Sequence, residues 1–361
     1  MRKHYLDNLR WFSVLAVVLY HVFFMFCTIG ELSFKTFSEV QYQDGIIYLL
    51  YPWIMVILFL IAGMSSRYYL EKHTIKEFIR SRTRKLLVPS TVGILLFGWI
   101  QGYINMKEAG AFDVDQGVMS APLPIRILIM DVSGTSILWF SQMLWLISLL
   151  AALVARFEKG RLYKLTEKTG IIVSALLVIP VWGAAQILNT PIISVYRFGL
   201  YPFVFFLGYF VFAHDEVIDR IAKFRIPLII VSGVLGITYL ILHFGDDAMT
   251  MPVMGSIPAV AFCWATCLAL LGSFRTWADR ETPLGSYMTK RSFGIYTYHY
   301  LAMSAVALLL VKFTDCPAVL CYILCGILGL GGSIVMFEIT SRIPFVRWCL
   351  LGIKKPQKKE V

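Results

Sequence analysis

Near its start the chain reads YLDNLRWFSVLAVVLYH, an apolar run bracketed by Arg10 and His21. At about 100° and 1.5 Å per residue, eleven helical steps make about three turns, so both side chains share one face, about 16 Å apart. An imidazole takes or gives a proton near neutral pH. A guanidinium grips phosphate through paired N–H groups. Such ionisable groups are costly inside a membrane-length run and make it a candidate functional site, the competing reading being that each pairs with a neighbouring helix. Asp7, three residues before Arg10, is spaced to pair with it. In KRSFGIYTYHYL, Ser292, Tyr296 and His299 recur at spacings of four and three, hence along one side of another helix. In EKHTIKEFIRSRTRKLLVPS, Arg80, Arg82, Arg84 and Lys85 place four cations within six residues. They suit a polyanion, or else orient the chain and touch anionic lipid. Arg197, in SVYRFGLYPF, has snorkelling to the outer interface as its default role.

The elements that must hold these residues follow from composition. The 361 residues are 58% hydrophobic and only 15% charged, with a mean hydropathy of +0.72. About 25% charge is usual for soluble proteins, so the chain reads as an integral membrane protein. A window of about 20 residues yields ten expected spans: 11–29, 46–64, 86–104, 137–155, 171–188, 196–213, 226–243, 256–273, 292–312 and 318–337. The fold class is therefore all-α, a polytopic bundle forming a single domain over 1–361. The amino terminus, the even-numbered gaps and the tail hold 28 Lys and Arg, against four in the odd gaps, Lys35, Lys107, Arg126 and Lys312. That asymmetry predicts both termini in the cytoplasm. It also accounts for the net charge of +11 without nucleic acid, which would need a basic face on a soluble fold. On this reading His21 looks into the bundle near mid-membrane, and His299 lies about 10 Å inside the ninth helix. The longest gap, 105–136, contains LPIRILIM, an expected short interfacial helix. Seven cysteines show no zinc-type spacing and suit packing, and no metal site is expected.

Taken together, five segments resemble acyltransferase family 3. YLDNLRWFSVLAVVLYH is similar to its first helix, with arginine, ten residues, then histidine. FIRSRTRKLLVPSTVG resembles its basic approach to the third helix, and ILWFSQMLWLISLL its Trp-Phe segment. YPFVFFLGYFVF resembles its Phe/Gly-rich helix, and SFGIYTYHYL its closing Ser/Tyr/His segment. The overall look is nearest the branch with membrane succinyltransferases of periplasmic glucans. The resemblance implies ten membrane helices in a bacterial cytoplasmic membrane. It implies transfer of an acyl group from cytoplasmic acyl-CoA, as co-substrate, to a hydroxyl of an envelope glycan or lipid-linked sugar. Lys85 stands where the family motif has arginine, so either Arg84 or Lys85 bears that contact.

Acyl transfer from a thioester needs a base, an oxyanion site and an anchor for the donor's phosphates. His21 is the expected base. His299 or Tyr296 would orient its ring or donate toward the oxyanion. Arg10, Arg80, Arg82, Arg84 and Lys85 would hold the donor, with Trp139 and Arg197 on the acceptor side. The competing reading is a proton-coupled transporter of a small anionic solute that uses His21, His299 and Arg197. It lacks an evident inverted repeat.

Overall fold

A computed structural model of the chain describes residues 2–27, 40–108, 110, 112, 118–188, 197–313 and 315–353. Lys35, Tyr196 and the tail KKPQKKE lie outside them. The described residues form helices and no strand. In chain order these are α1 (His4–Phe24), α2 (Gly45–Leu70), α3 (Ile75–Lys107), α4 (Leu123–Ser133), α5 (Trp139–Glu158), α6 (Ile171–Ala185), α7 (Leu200–Phe210), α8 (Asp215–Lys223), α9 (Arg225–His243), α10 (Ile257–Trp277), α11 (Pro283–Phe313), α12 (Ala318–Arg342) and α13 (Pro344–Leu351).

Eight of them, α1, α2, α3, α5, α9, α10, α11 and α12, are long and apolar enough to cross a membrane. The fifth and sixth expected spans come out differently. Helix α6 is short and interrupted at Leu177, three residues before Pro180. The sixth span, expected over 196–213, is helical only as α7, which turns by 101° into α8. Pro202, in the first turn of α7, has no N–H to return to the carbonyl of Phe198. Arg197 therefore precedes the helix instead of lying inside it.

One end of the bundle gathers the chain's basic segments and is called the basic end below. There the Tyr5 N–H donates to the Asp279 carboxylate (3.1 Å), and the Asn8 amide donates to the carbonyls of Ala278 (2.7 Å) and Arg280 (3.1 Å). These bonds join the start of α1 to the end of α10. Lys3 meets Asp215 at 2.5 Å and Arg275 meets Asp219 at 2.8 Å, which ties α8 to the same end.

Helices α2 and α10 form the centre, each with 72% of its apolar window buried; α9, at 17%, lies outside. Small residues set the closest approach. An ideal Cβ on Gly63 would lie 1.9 Å from the Phe205 carbonyl oxygen, and one on Gly208 would lie 2.0 Å from that of Leu60. Helices α2 and α7 thus meet backbone to backbone, as small residues permit where lipid offers no hydrophobic drive. LPIRILIM is helical, as α4, and packs back on α3, where Gly102 lies against Met130. Two π turns, Thr83–Leu87 and Ile94–Gly98, widen α3 on either side of Pro89, which supplies no N–H to the helical ladder.

Candidate functional site

His21 lies in the last turn of α1, not at mid-helix, because α1 starts at His4 and stops at Phe24. Helix α11 likewise starts at Pro283, so His299 stands sixteen residues in, about 24 Å along the axis instead of 10 Å. The two helices start seven and nine residues earlier than expected, which leaves the imidazoles at similar depths, 17 and 16 residues in, and the rings meet. Nε2 of His299 is 3.2 Å from Nδ1 of His21. Nδ1 of His299 is 2.9 Å from the Tyr296 carbonyl and 3.1 Å from that of Ile295. Nδ1 of His21 is also 2.8 Å from the Val17 carbonyl.

These contacts fix the tautomers of the neutral pair. A carbonyl oxygen only accepts, so Nδ1 of His299 is its N–H and Nε2 its lone pair. That lone pair and the Val17 carbonyl both face Nδ1 of His21, which must then be the donor. Nε2 of His21 is left with its lone pair, and no donor reaches it among the described residues. His299 is fully buried, whereas His21 is half-buried. Tyr20 and Tyr300 stand nearly perpendicular to the His21 ring, with centroids at 4.9 and 5.0 Å. Tyr296 is committed elsewhere: its hydroxyl donates to the Ile137 carbonyl, so it ties α11 to the segment before α5 and does not face His21. Tyr300, one residue beyond His299, and Tyr20 are the phenols beside the His21 ring; a step of four from Tyr296 reaches Tyr300, which the Ser292–Tyr296–His299 stripe omits by stepping three there.

At the basic end Arg10 donates to Asp7 (3.1 Å) and to the Ser65 hydroxyl (3.0 Å), while Arg82 donates to the Ser66 hydroxyl (2.8 Å). Adjacent serines at the end of α2 thus draw two guanidinium groups together from α1 and α3. Each serine hydroxyl itself donates to a carbonyl one turn back, at 2.8 Å, which leaves its lone pairs for the arginines. The polar pair in GMSSRYYL was the available signal. The basic run is divided: Arg82, Arg84 and Lys85 lie near one another, and Arg80 stands apart. Arg80 points outward, Arg82 turns inward, and the Arg84 backbone is covered by Gly352, just past α13, whose ideal Cβ would lie 2.8 Å from the Arg84 carbonyl. Lys85 lies within electrostatic reach of Arg82, Arg84 and Arg10. The π turn that contains Arg84 and Lys85 separates their directions from those of an ideal helix.

A cavity of about 450 Å³ opens beside Arg10, between α1, the end of α2 and the bend into α8. Its lining includes Arg10, Ser65, Lys3, Lys72, Tyr163 and His214, and does not extend to His21. Burial, and then the Glu71 carboxylate, pushes the Tyr163 phenol up, so it remains a donor at neutral pH. The His214 ring stacks on Tyr163 at 3.8 Å, and its Nε2 bonds the Tyr163 carbonyl at 2.8 Å.

An aromatic wall continues from the imidazoles. Tyr296 meets Phe140 (5.6 Å), Phe140 meets Phe59 (4.8 Å), and Tyr201 stacks between Phe59 (4.5 Å) and Trp139 (5.6 Å). On the other side Tyr20 stacks on Tyr51 at 5.5 Å, and the Arg197 guanidinium lies 5.2 Å from the Tyr51 ring centre. Arg197 is 4% exposed, so it points into the protein and does not snorkel. The structure brings His21 together with His299, and Arg10 with Arg82. It leaves Arg80 apart and puts Trp139 and Arg197 at opposite ends of one aromatic arc.

Comparison with curated proteins and with solved structures gave no match. Residues 3–338 match an acyltransferase domain family, a stretch that begins before Arg10 and ends beyond the His21–His299 pair. A chain of membrane-length helices with a paired imidazole site, matched over nearly its whole length, belongs to acyltransferase family 3.

Proposed function

We propose that the protein is a membrane O-acyltransferase that moves an acyl group from cytoplasmic acyl-CoA to a hydroxyl of an envelope glycan or lipid-linked sugar. The supporting observation is the bare Nε2 of His21, held by an N–H shared between Val17 and His299. In the proposed reaction Nε2 takes the acceptor hydroxyl proton as the oxygen attacks the thioester carbonyl. The new C–O ester bond forms, the C–S bond breaks, and the imidazolium returns its proton to the departing thiolate. Two acceptors on Nδ1–H favour the transient imidazolium, the part a carboxylate plays beside other catalytic histidines. Tyr300 is the proposed oxyanion donor, in place of Tyr296.

Arg10 and Arg82, aimed by Ser65 and Ser66, are the proposed contacts for the donor's phosphates, with Lys85 beside them. The acceptor would approach along the wall of Trp139 and Tyr201. Lipid-facing helices and both termini on the cytoplasmic side complete a reading in which the donor reaches the basic end and the acceptor the opposite one. Purified protein supplied with labelled acyl-CoA tests this. Thioester consumption that disappears in His21→Ala is expected. Uptake of a small anion into proteoliposomes with no thioester turnover would overturn it in favour of transport.

A further inference from the structure

A guanidinium sealed inside a membrane bundle without a carboxylate is a costly arrangement, and Arg197 is in that position. Among the described residues it forms no salt bridge. Its hydrogen-bond partners are two neutral groups, the Met254 sulfur, a weak acceptor, and the Tyr51 hydroxyl, and its Nε is buried with no partner. Tyr239, on α9, is completely buried as well, and its hydroxyl also lacks a partner. Arg197 and Tyr239 are within electrostatic reach of each other, as are Arg197 and Tyr201. Two orphaned donors in one buried place, one of them cationic, describe a site whose acceptor is absent. Water satisfies donors but does not neutralise the charge. An oxyanion does both, and a guanidinium fork beside a phenol matches a carboxylate or phosphate.

We infer that Arg197 and Tyr239 form a buried oxyanion-binding site that holds a carboxylate or phosphate group carried by one of the two substrates. Three ring contacts link the site to the base: Arg197 on Tyr51, Tyr51 on Tyr20, Tyr20 on His21. The anion site stands on its own geometry; its assignment to a substrate rests on the transfer reading above. The anion is either the terminal acid of a dicarboxylic acyl chain or an acidic group of the acceptor.

Thermal unfolding of the full chain in detergent, with sodium succinate and with inorganic phosphate against sodium chloride of equal ionic strength, tests the site. At least one oxyanion should raise the midpoint, with affinity reduced at least tenfold in Arg197→Met and severalfold in Tyr239→Phe. Arg82→Met, at the proposed donor-phosphate contact, should leave the succinate effect unchanged and remove at most the part of the phosphate effect that Arg197→Met leaves. If neither oxyanion stabilises the protein, or if Arg82→Met abolishes the effect while Arg197→Met does not, the inference is overturned. Should Arg197→Met fail to fold, Arg197→Lys and Tyr239→Phe decide, and binding as tight as wild type in both overturns it. The source is then read from turnover. A donor acid predicts that Arg197→Met lowers succinyl-CoA consumption at least tenfold relative to acetyl-CoA. An acceptor acid predicts equal effects on both donors and loss of acylation from the anionic envelope glycans alone. His21→Ala should abolish turnover and leave oxyanion binding intact, so the site and the transfer reading fail separately.

Discussion

At the scale of single residues the site depends on which nitrogen of His21 is free. Val17 and His299 decide this from one side, and of the two acceptors only the His299 ring can be removed by substitution, the Val17 one being a backbone carbonyl. His21→Ala should lower turnover by about 10²- to 10⁴-fold, the usual worth of a general base, while acyl-CoA binding, followed by calorimetry, changes less than threefold. Equal loss of both would mean misfolding and would sink the assignment. His299→Ala removes one of two acceptors and keeps Val17, so a smaller loss in kcat is expected, with KM for acyl-CoA unchanged. The two tyrosines separate positioning from chemistry. Tyr300→Phe should lower kcat by about 10²-fold, within the range of a lost oxyanion donor, with the thermal midpoint nearly unchanged. Tyr296→Phe breaks the bond to Ile137 and should lower the midpoint by more than it lowers kcat. The reverse pattern would return the oxyanion role to Tyr296.

At the scale of elements, two junctions hold the candidate site. Helix α2 carries Ser65 and Ser66 to the arginines and Phe59 to the aromatic wall, and α7 carries Tyr201; their spacing is set by Gly63 and Gly208. A methyl at position 208 would lie 2.0 Å from a backbone oxygen, which no rotamer change relieves. Gly208→Ala should therefore destabilise the protein by about 1–3 kcal/mol, read as a lower unfolding midpoint in detergent; an unchanged midpoint would show that the helices separate freely. The serine pair makes the second junction. Ser65→Ala with Ser66→Ala should weaken acyl-CoA binding several-fold and leave kcat at saturation intact, since each serine aims a guanidinium and touches no reacting atom. Unaltered affinity would remove Arg10 and Arg82 from the donor site. Apolar run length made the eight long helices legible. It overextended the sixth because hydropathy averages across Arg197 and Gly199 and is blind to the 101° turn that follows α7.

For the whole molecule, the testable property is orientation. The bundle gathers Lys3, Arg10 and Arg275 with the other basic segments at one end, and the bias of positive charge predicts that this end faces the cytoplasm. A fluorescent protein fused after Val361 should fluoresce in the cytoplasm, while a cysteine placed at Lys107 or Lys312 should be labelled by an impermeant maleimide from outside. Labelling of the basic end instead would invert the proposed donor and acceptor sides. With the basic end in the cytoplasm, the 450 Å³ cavity beside Arg10 would open to that side.

Composition, run length and charge bias alone determined that this chain is an all-helical membrane protein, because burying backbone in lipid permits few solutions and each leaves a long apolar signature. The Arg10 and His21 spacing, a property of one helix, was legible for the same local reason. Which groups they would face was not. The 3.2 Å contact of His21 with His299, the serines beneath Arg10 and Arg82, and the pair Arg197 and Tyr239 join residues from 16 to 278 positions apart. Helix packing alone decides such pairings, since the rotation and depth of one helix against another depend on where small residues let backbones touch.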